Sequence, residues 1–175
     1  MVSKSIVDFC CITFAQLGVN RENASKKLGS IDNALTMAGY SGTPLPQKLG
    51  VKPGLTVVTI DAPTNYRRLL GTILKGVTFS DRLKPDSTFV HVFIKKRSEL
   101  TKRLPVLREK VADAGTVWVS WPKRSSGVPT DVTEDVVRAA ALPLGFVDVK
   151  VCAIDDTWSG LKLMVRRTNR KQAVR

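Results

Sequence analysis

The chain has one histidine, three cysteines and an aromatic content of 6% in 175 residues. Each shortage removes a class of explanation. With His91 alone and no G-x-S-x-G sequence, a serine hydrolase would lack both a dedicated base and the elbow that presents its nucleophile. Cys10, Cys11 and Cys152 are too few and too irregularly spaced for a disulfide framework or a zinc site. No metal is expected, and a reducing, cytoplasmic setting fits. A transmembrane helix needs about 20 apolar residues, and no run approaches that length. The apolar stretch from Ile6 to Phe14 is broken by Asp8, and no small-x-small cleavage pattern follows it, so it does not read as a signal peptide. Internal repeats and low-complexity segments are missing too.

Acidic residues are also in short supply: 28 Lys and Arg stand against 15 Asp and Glu, a net charge of +13. The excess is uneven. Residues 37–115 hold 14 basic and 6 acidic residues, and residues 161–175 hold 6 basic and none acidic, whereas residues 116–160 hold 4 against 6. Such an imbalance draws phosphates and other anionic surfaces, so a small anionic ligand or a nucleic acid bound through the basic middle and tail is a candidate partner. Solvated surface charge is the plainer explanation. With 43% hydrophobic residues, the length suffices for one domain with a real core.

Residues 1–36 differ from the rest of the chain and read as an N-terminal extension, either a helix-rich or disordered appendage or a stretch upstream of a native start at Met37. From Lys52 onward the rhythm is α/β. Pro53-Gly54 marks a turn, and LTVVTI at Leu55 to Ile60 is a β-branched run suited to a buried strand. DAPTNY breaks it, Thr64 is placed to cap a short helix through Gly71, and Val77 to Phe79 is a further strand candidate. STFVHVFI, residues 87–94, is a strand. A helix from Ser98 places Leu100, Leu104, Leu107 and Val111 on one side, with Pro105 expected to kink or divide it. Gly115 is expected to end that helix before the strand TVWVSW. Asp131 and Glu134 form an apparent capping box for a helix to about Leu142, which Pro143 and Gly145 stop. FVDVKVCAI and LKLMVRR then flank the DDTWSG turn as an antiparallel pair.

The strands at 55–60, 88–94, 116–121 and 146–154, joined by helical crossovers, are expected to run parallel. Ligands of such sheets bind outside the carboxyl ends of the strands. That rule brings DAPTNY, KKRS, WPKRSS and DDTWS to one rim and nominates Asp61, Asn65, Lys95, Trp121, Lys123, Ser125, Asp155, Asp156 and Trp158 as ligand-binding residues. Trp121 and Trp158 suit stacking on a planar group, and Lys123 and Arg124 suit a phosphate. Each residue has a structural alternative: tryptophans roof cores, adjacent aspartates form turns, and His91 fits a half-buried strand position. A helix N-terminus near Asp131 would favour an anion, although Asp131 and Glu134 oppose one.

SGTPL, KLG, WVSWPK, SGVPTDVTEDVVR and DVKVCAIDDTWSGLKL resemble a family of small bacterial proteins of uncharacterised function, over about Met37 to Arg167. More distantly, the second half resembles class I methyltransferases, in which strand, helix, strand and helix are followed by an antiparallel hairpin. The resemblance implies a reduced Rossmann-like, methyltransferase-like three-layer α/β sandwich over residues 37–167, with a mostly parallel sheet, a C-terminal antiparallel hairpin and a basic tail at 168–175. It also implies S-adenosylmethionine as a cofactor to be considered. The sequence departs from that pattern where the cofactor would bind. Asp61-Ala62-Pro63-Thr64-Asn65 contains no glycine, and Pro63 removes a donor. One strand and one helix of the full fold are missing before STFVHVFI, and only Asp81 is a candidate to hold a ribose. The expectation is therefore a binding protein for a small anionic or nucleotide-like ligand, or for a partner. A diverged methyltransferase and a nucleic-acid-associated protein are the alternatives, and whether any reaction is catalysed stays open.

Overall fold

The β-branched and aromatic runs form a six-stranded sheet in the computed structural model, which describes residues 42–71 and 75–170. The chain divides into two units, Met1–Gly42 and Thr43–Arg175, and the description concerns the second. The extension expected over 1–36 lies outside the described residues, as do residues 171–175 of the expected tail. In chain order the elements are α1 (Leu45–Leu49), β1 (Thr56–Ile60), α2 (Tyr66–Leu69), β2 (Thr78–Ser80) and β3 (Ser87–Phe93). They continue with α3 (Arg97–Lys110), β4 (Val111–Pro122), α4 (Glu134–Ala141), β5 (Phe146–Ala153) and β6 (Trp158–Val165).

Alternation along β3 explains the layers. Phe89, His91 and Phe93 point to one face, while Val90, Val92 and Ile94 point to the other, and all six are buried. The first face packs on Leu49, Val51, Tyr66 and Leu70, and the second on Leu100, Leu104 and Leu107 of α3 and Val137 and Ala141 of α4. The result is the expected three-layer α/β sandwich.

The strand order is β2-β1-β3-β4-β6-β5. Strands β1 to β4 pair in parallel; β6 pairs antiparallel with both β4 and β5, so β5 runs in the common direction without touching β4. Composition decides which hairpin strand goes inside. β6 buries Leu161, Leu163 and Val165 completely, whereas β5 carries Asp148 and Lys150 on an exposed edge, where charges deter further pairing. Arg138 of α4 reaches that edge through a 2.8 Å bond to Asp148, which holds the Asp148 carboxyl below its usual range.

Several local expectations need correction. Helix α2 starts at Tyr66, with no side-chain cap from Thr64 or Asn65, because burial of Tyr66 rather than a cap fixes its position. Helix α3 continues through Pro105, whose exposed position leaves the disrupted backbone within reach of water while Leu104 and Leu107 are buried beside it. Gly115 does not end α3. The helix stops at Lys110, and Gly115 lies in an irregular stretch where the pairing of β3 with β4 jumps from Ser87/Val111 to Phe89/Thr116. The last described residues are ordered into a short turn, Arg167–Asn169, and the Asn169 carbonyl accepts a 2.8 Å bond from Arg108.

Two glycines are dictated by close approach. A Cβ at Gly115 would lie 2.6 Å from Val111 Cγ1 and 2.8 Å from the Ala112 carbonyl oxygen, and one at Gly160 would lie 2.8 Å from Ser120 Oγ. Both Gly115→Ala and Gly160→Ala are expected to destabilise the domain by roughly 1–3 kcal/mol in chemical denaturation. Gly115→Ala should be the worse of the two, since a backbone oxygen cannot move aside as a side chain can.

Candidate functional site at the carboxyl edge of the sheet

The chain leaves β1 toward β2 on one side of the sheet and returns to β3 on the other, so the strand order reverses between β1 and β3. Such a reversal opens a crevice at the carboxyl ends of the two strands, the usual ligand position in open α/β sheets. The loops there are laced together. Thr130 Oγ1 donates to the Lys95 carbonyl at 2.8 Å, the Arg97 amide to Asp131 Oδ1 at 2.6 Å, and the Lys123 amide to the Thr157 carbonyl at 2.7 Å. At the carboxyl end of β1, Arg103 of α3 pairs with Asp61 at 2.5 Å. Topology thus brings the loops after β1, β3, β4 and β5 to one rim.

Asp131 therefore does not cap α4. Its carboxylate accepts the first amide of α3, and the α4 cap is Thr133, which accepts the Val136 amide at 3.3 Å. The D-x-x-E spacing is present, but the two residues serve different helices.

The nominated residues differ in what the structure makes of them. Asp61 adopts a left-handed backbone, φ 52°, at a non-glycine position and is held by Arg103. Asn65 precedes α2 without a side-chain bond to the helix, and Lys95 is exposed at the end of β3. Asp155 Oδ1 accepts the amides of Thr157 and Trp158 at 2.9 and 2.7 Å, the geometry of a turn former. Asp156 and Ser125 are exposed. The tryptophans share the rim but lie on opposite faces. Trp121 pairs in register with Ser159, and Pro122 with Trp158, so alternation sends the two rings to opposite sides. Each is 7% exposed, and Trp158 meets Phe93 edge-on at 5.0 Å. They cannot sandwich one ligand. Trp121 and Lys123 do line a surface cavity of about 340 Å³ with Arg124, Glu134 and Asp135.

Pattern reading missed the partners of His91. Expected half-buried, it is completely buried, with Nδ1 2.8 Å from Tyr66 Oη and Nε2 2.7 Å from Ser120 Oγ. In a neutral ring one nitrogen donates and the other accepts, and each hydroxyl can serve either role. Ser120 beside a histidine looks like an activated nucleophile, yet both are sealed from solvent, so the arrangement is structural. Burial pushes the imidazole down to about 3 and raises the Tyr66 phenol above its ordinary 10. No local signal in the sequence joins residues 25 and 29 positions apart.

No protein-family model matches the chain, and no curated protein does, so the resemblance to an uncharacterised bacterial family rests on the motifs alone. Solved structures do match. A protein from Sulfolobus solfataricus, provisionally described as a type 11 methyltransferase, aligns with a TM-score of 0.51 at 12% identity, covering 75% of this chain and 95% of that one. A SAM-dependent methyltransferase from Aquifex aeolicus aligns with a TM-score of 0.48 at 17% identity, covering 80% and 97%. At these identities the likeness is one of fold. The chain has a Rossmann-like α/β fold of the methyltransferase type, with the antiparallel β5–β6 hairpin closing the sheet.

The neutral imidazole generates a pH prediction. Its folded pKa, about 3, is below its ordinary 6.5, so the unfolded chain binds the extra proton. The contribution is complete above pH 6.5 and is lost as pH falls toward 3. Carboxylates act on the wild type and on His91→Gln alike. The wild type's stability relative to that variant should therefore shrink by on the order of 4 kcal/mol between pH 7 and pH 3, measured by urea unfolding. A constant difference would show that the ring is not held neutral.

Proposed function

We propose that the protein binds a nucleotide-like anion at the carboxyl edge of its sheet. The observation that carries this reading is the balance of charge there. Arg67 and Arg68 on α2, Lys95 and Lys96 after β3, and Arg124 after β4 are exposed and make no ion pair with another described residue. Meanwhile Asp61, Asp131 and Asp155 are already engaged by Arg103, the Arg97 amide and the turn amides. A phosphate arriving there meets Arg67, Arg68, Lys95 and Lys96 with no ion pair among the described residues to cancel their charge, whereas Arg124 shares its cavity with Glu134 and Asp135. Asp81 adds the sugar. It directly follows β2, 20 residues beyond Asp61, the place from which an acid holds a ribose in dinucleotide-binding folds.

A second reading, a diverged methyltransferase, is favoured by the fold and by the same Asp81, since S-adenosylmethionine also carries a ribose. The loop after β1 fits that cofactor poorly. Residues 61–65 have no glycine to let backbone amides approach a ligand, and Asp61 is committed to Arg103. If the cofactor bound, it would supply an electrophilic methyl group, and this chain's part would be to hold its ribose at Asp81.

Calorimetric titration of the full chain with ATP, AMP and S-adenosylmethionine separates the readings. ATP is expected to bind more tightly than AMP. Lys95→Ala with Lys96→Ala should weaken ATP about tenfold or more, and Asp81→Asn should weaken both nucleotides several-fold. Saturable binding of S-adenosylmethionine in place of the nucleotides would establish the second reading. Binding of an RNA oligonucleotide alone, falling steeply with salt, would replace both.

A further inference from the structure

The face of the sheet that α3 and α4 cover is less fully covered toward its other end. These helices cover β3 to β6 and reach Val58 of β1, whereas among the described residues the loop of residues 81–86 lies over Thr56 of β1 and Thr78 and Ser80 of β2. Beneath that loop is a cavity of about 530 Å³, within the range that holds small-molecule ligands. It lies on the sheet face rather than in the rim crevice, and Asp81 and Lys95 do not line it.

Its floor is a row of hydroxyls. The register pairs Thr56 with Thr78, and Val57 with Phe89, so Thr88 stands beside Thr56 and three threonines occupy one row across β2, β1 and β3. Neighbouring strands are about 4.8 Å apart, which sets their hydroxyls at regular short intervals on one face. Arg82 and Lys84 from the loop line the wall, and neither makes an ion pair with another described residue. Asp86, with a left-handed backbone at φ 59°, lines it as well and is likewise unpaired. By contrast Ser87, at the same place, is satisfied internally through the Lys84 amide and carbonyl.

We infer that this cavity is a second ligand site, separate from the rim, and that it takes a small phosphorylated polyol. Two cations provide charge-assisted bonds for a phosphate. One carboxylate accepts from ligand hydroxyls but repels a bare anion, which favours a molecule bearing both groups over inorganic phosphate. The threonine row donates to and accepts from either. Val58, Phe79 and Pro85 are the apolar residues of the lining and the other eight are polar or charged, which suits a polar ligand better than a lipid.

Ribose 5-phosphate, inorganic phosphate and ribose, each titrated calorimetrically into the full chain, form the test. Ribose 5-phosphate should bind saturably, inorganic phosphate at least about fivefold more weakly, and ribose without measurable heat. Arg82→Ala with Lys84→Ala should weaken ribose 5-phosphate about tenfold or more, and Thr78→Val about threefold. Circular dichroism melting should show both variants folded, since all three residues are exposed. Asp81→Asn and Lys95→Ala should leave this binding unchanged even if they abolish nucleotide binding, so the two sites can fail independently. The inference is overturned by absence of saturable ribose 5-phosphate binding. It is also overturned by equal affinity for inorganic phosphate, or by loss of binding in the rim variants rather than in Arg82→Ala with Lys84→Ala.

Discussion

One buried hydrogen-bonded chain, Tyr66–His91–Ser120, ties together the parts of the molecule that make the rim. Tyr66 ends the loop after β1, His91 sits in the middle of β3, and Ser120 lies near the carboxyl end of β4. A buried polar group without partners costs free energy comparable to several apolar contacts, so each of these three residues fixes the other two. Ser120 in turn faces Gly160 across the β4–β6 pair, where only a glycine leaves room for its hydroxyl. The antiparallel strand can therefore insert beside β4 without displacing the histidine. Aromatic packing completes the arrangement: His91 stacks on Phe93 at 4.4 Å, and Tyr66 meets both rings edge-on.

Much of this architecture could be read from residue patterns. Runs such as LTVVTI and STFVHVFI are strands because β-branched and aromatic residues fill both faces of a covered parallel sheet. Handed crossovers then bring their carboxyl ends to one edge without further information. What could not be read depends on contacts between distant positions. Gly115 has the local signature of a helix end, and only its tight approach to Val111 and Ala112 shows that it belongs to a strand irregularity. Asp131 and Glu134 have capping-box spacing, yet the amide that Asp131 accepts belongs to a helix 34 residues earlier. Strand direction alone suffices to bring Trp121 and Trp158 to one edge. That their rings lie on opposite faces depends on the register of β4 with β6, which hydrophobic periodicity does not specify.

The hairpin order illustrates how small a difference in composition selects a topology. Either of the last two strands could lie beside β4. Insertion of β6 buries three aliphatic side chains on both-sided pairing, while β5, with Asp148 and Lys150, tolerates the edge. Exchanging them would move Asp148 off the exposed edge into the interior of the sheet and bring Leu161, Leu163 and Val165 out to it. Desolvating an unpaired charge costs far more than exposing a valine, so the edge position of Val149 and Val151 is the lesser penalty.

The loop after β1 decides what this frame can bind. In a glycine-rich loop, backbone amides approach a ligand and the chain itself neutralises its charge. Here Asp61 takes the left-handed conformation with a carboxylate attached, at a cost of roughly 1–2 kcal/mol that its exposed pair with Arg103 offsets only in part. What holds the loop is instead Tyr66, five residues on, buried and bonded to His91. The loop is thereby fixed in a form that presents an acid, already neutralised by Arg103, where other folds of this type present amides. In the proposed reading, the anion is met instead along the edge by the loops after β3 and β4, where Lys95, Lys96 and Arg124 are exposed. On the proposed reading a nucleotide lies with its ribose toward β2 and its phosphates toward β3 and β4. The geometry of this single loop is thus where the chain, whose fold is of the methyltransferase type, departs from the glycine-rich form of that loop.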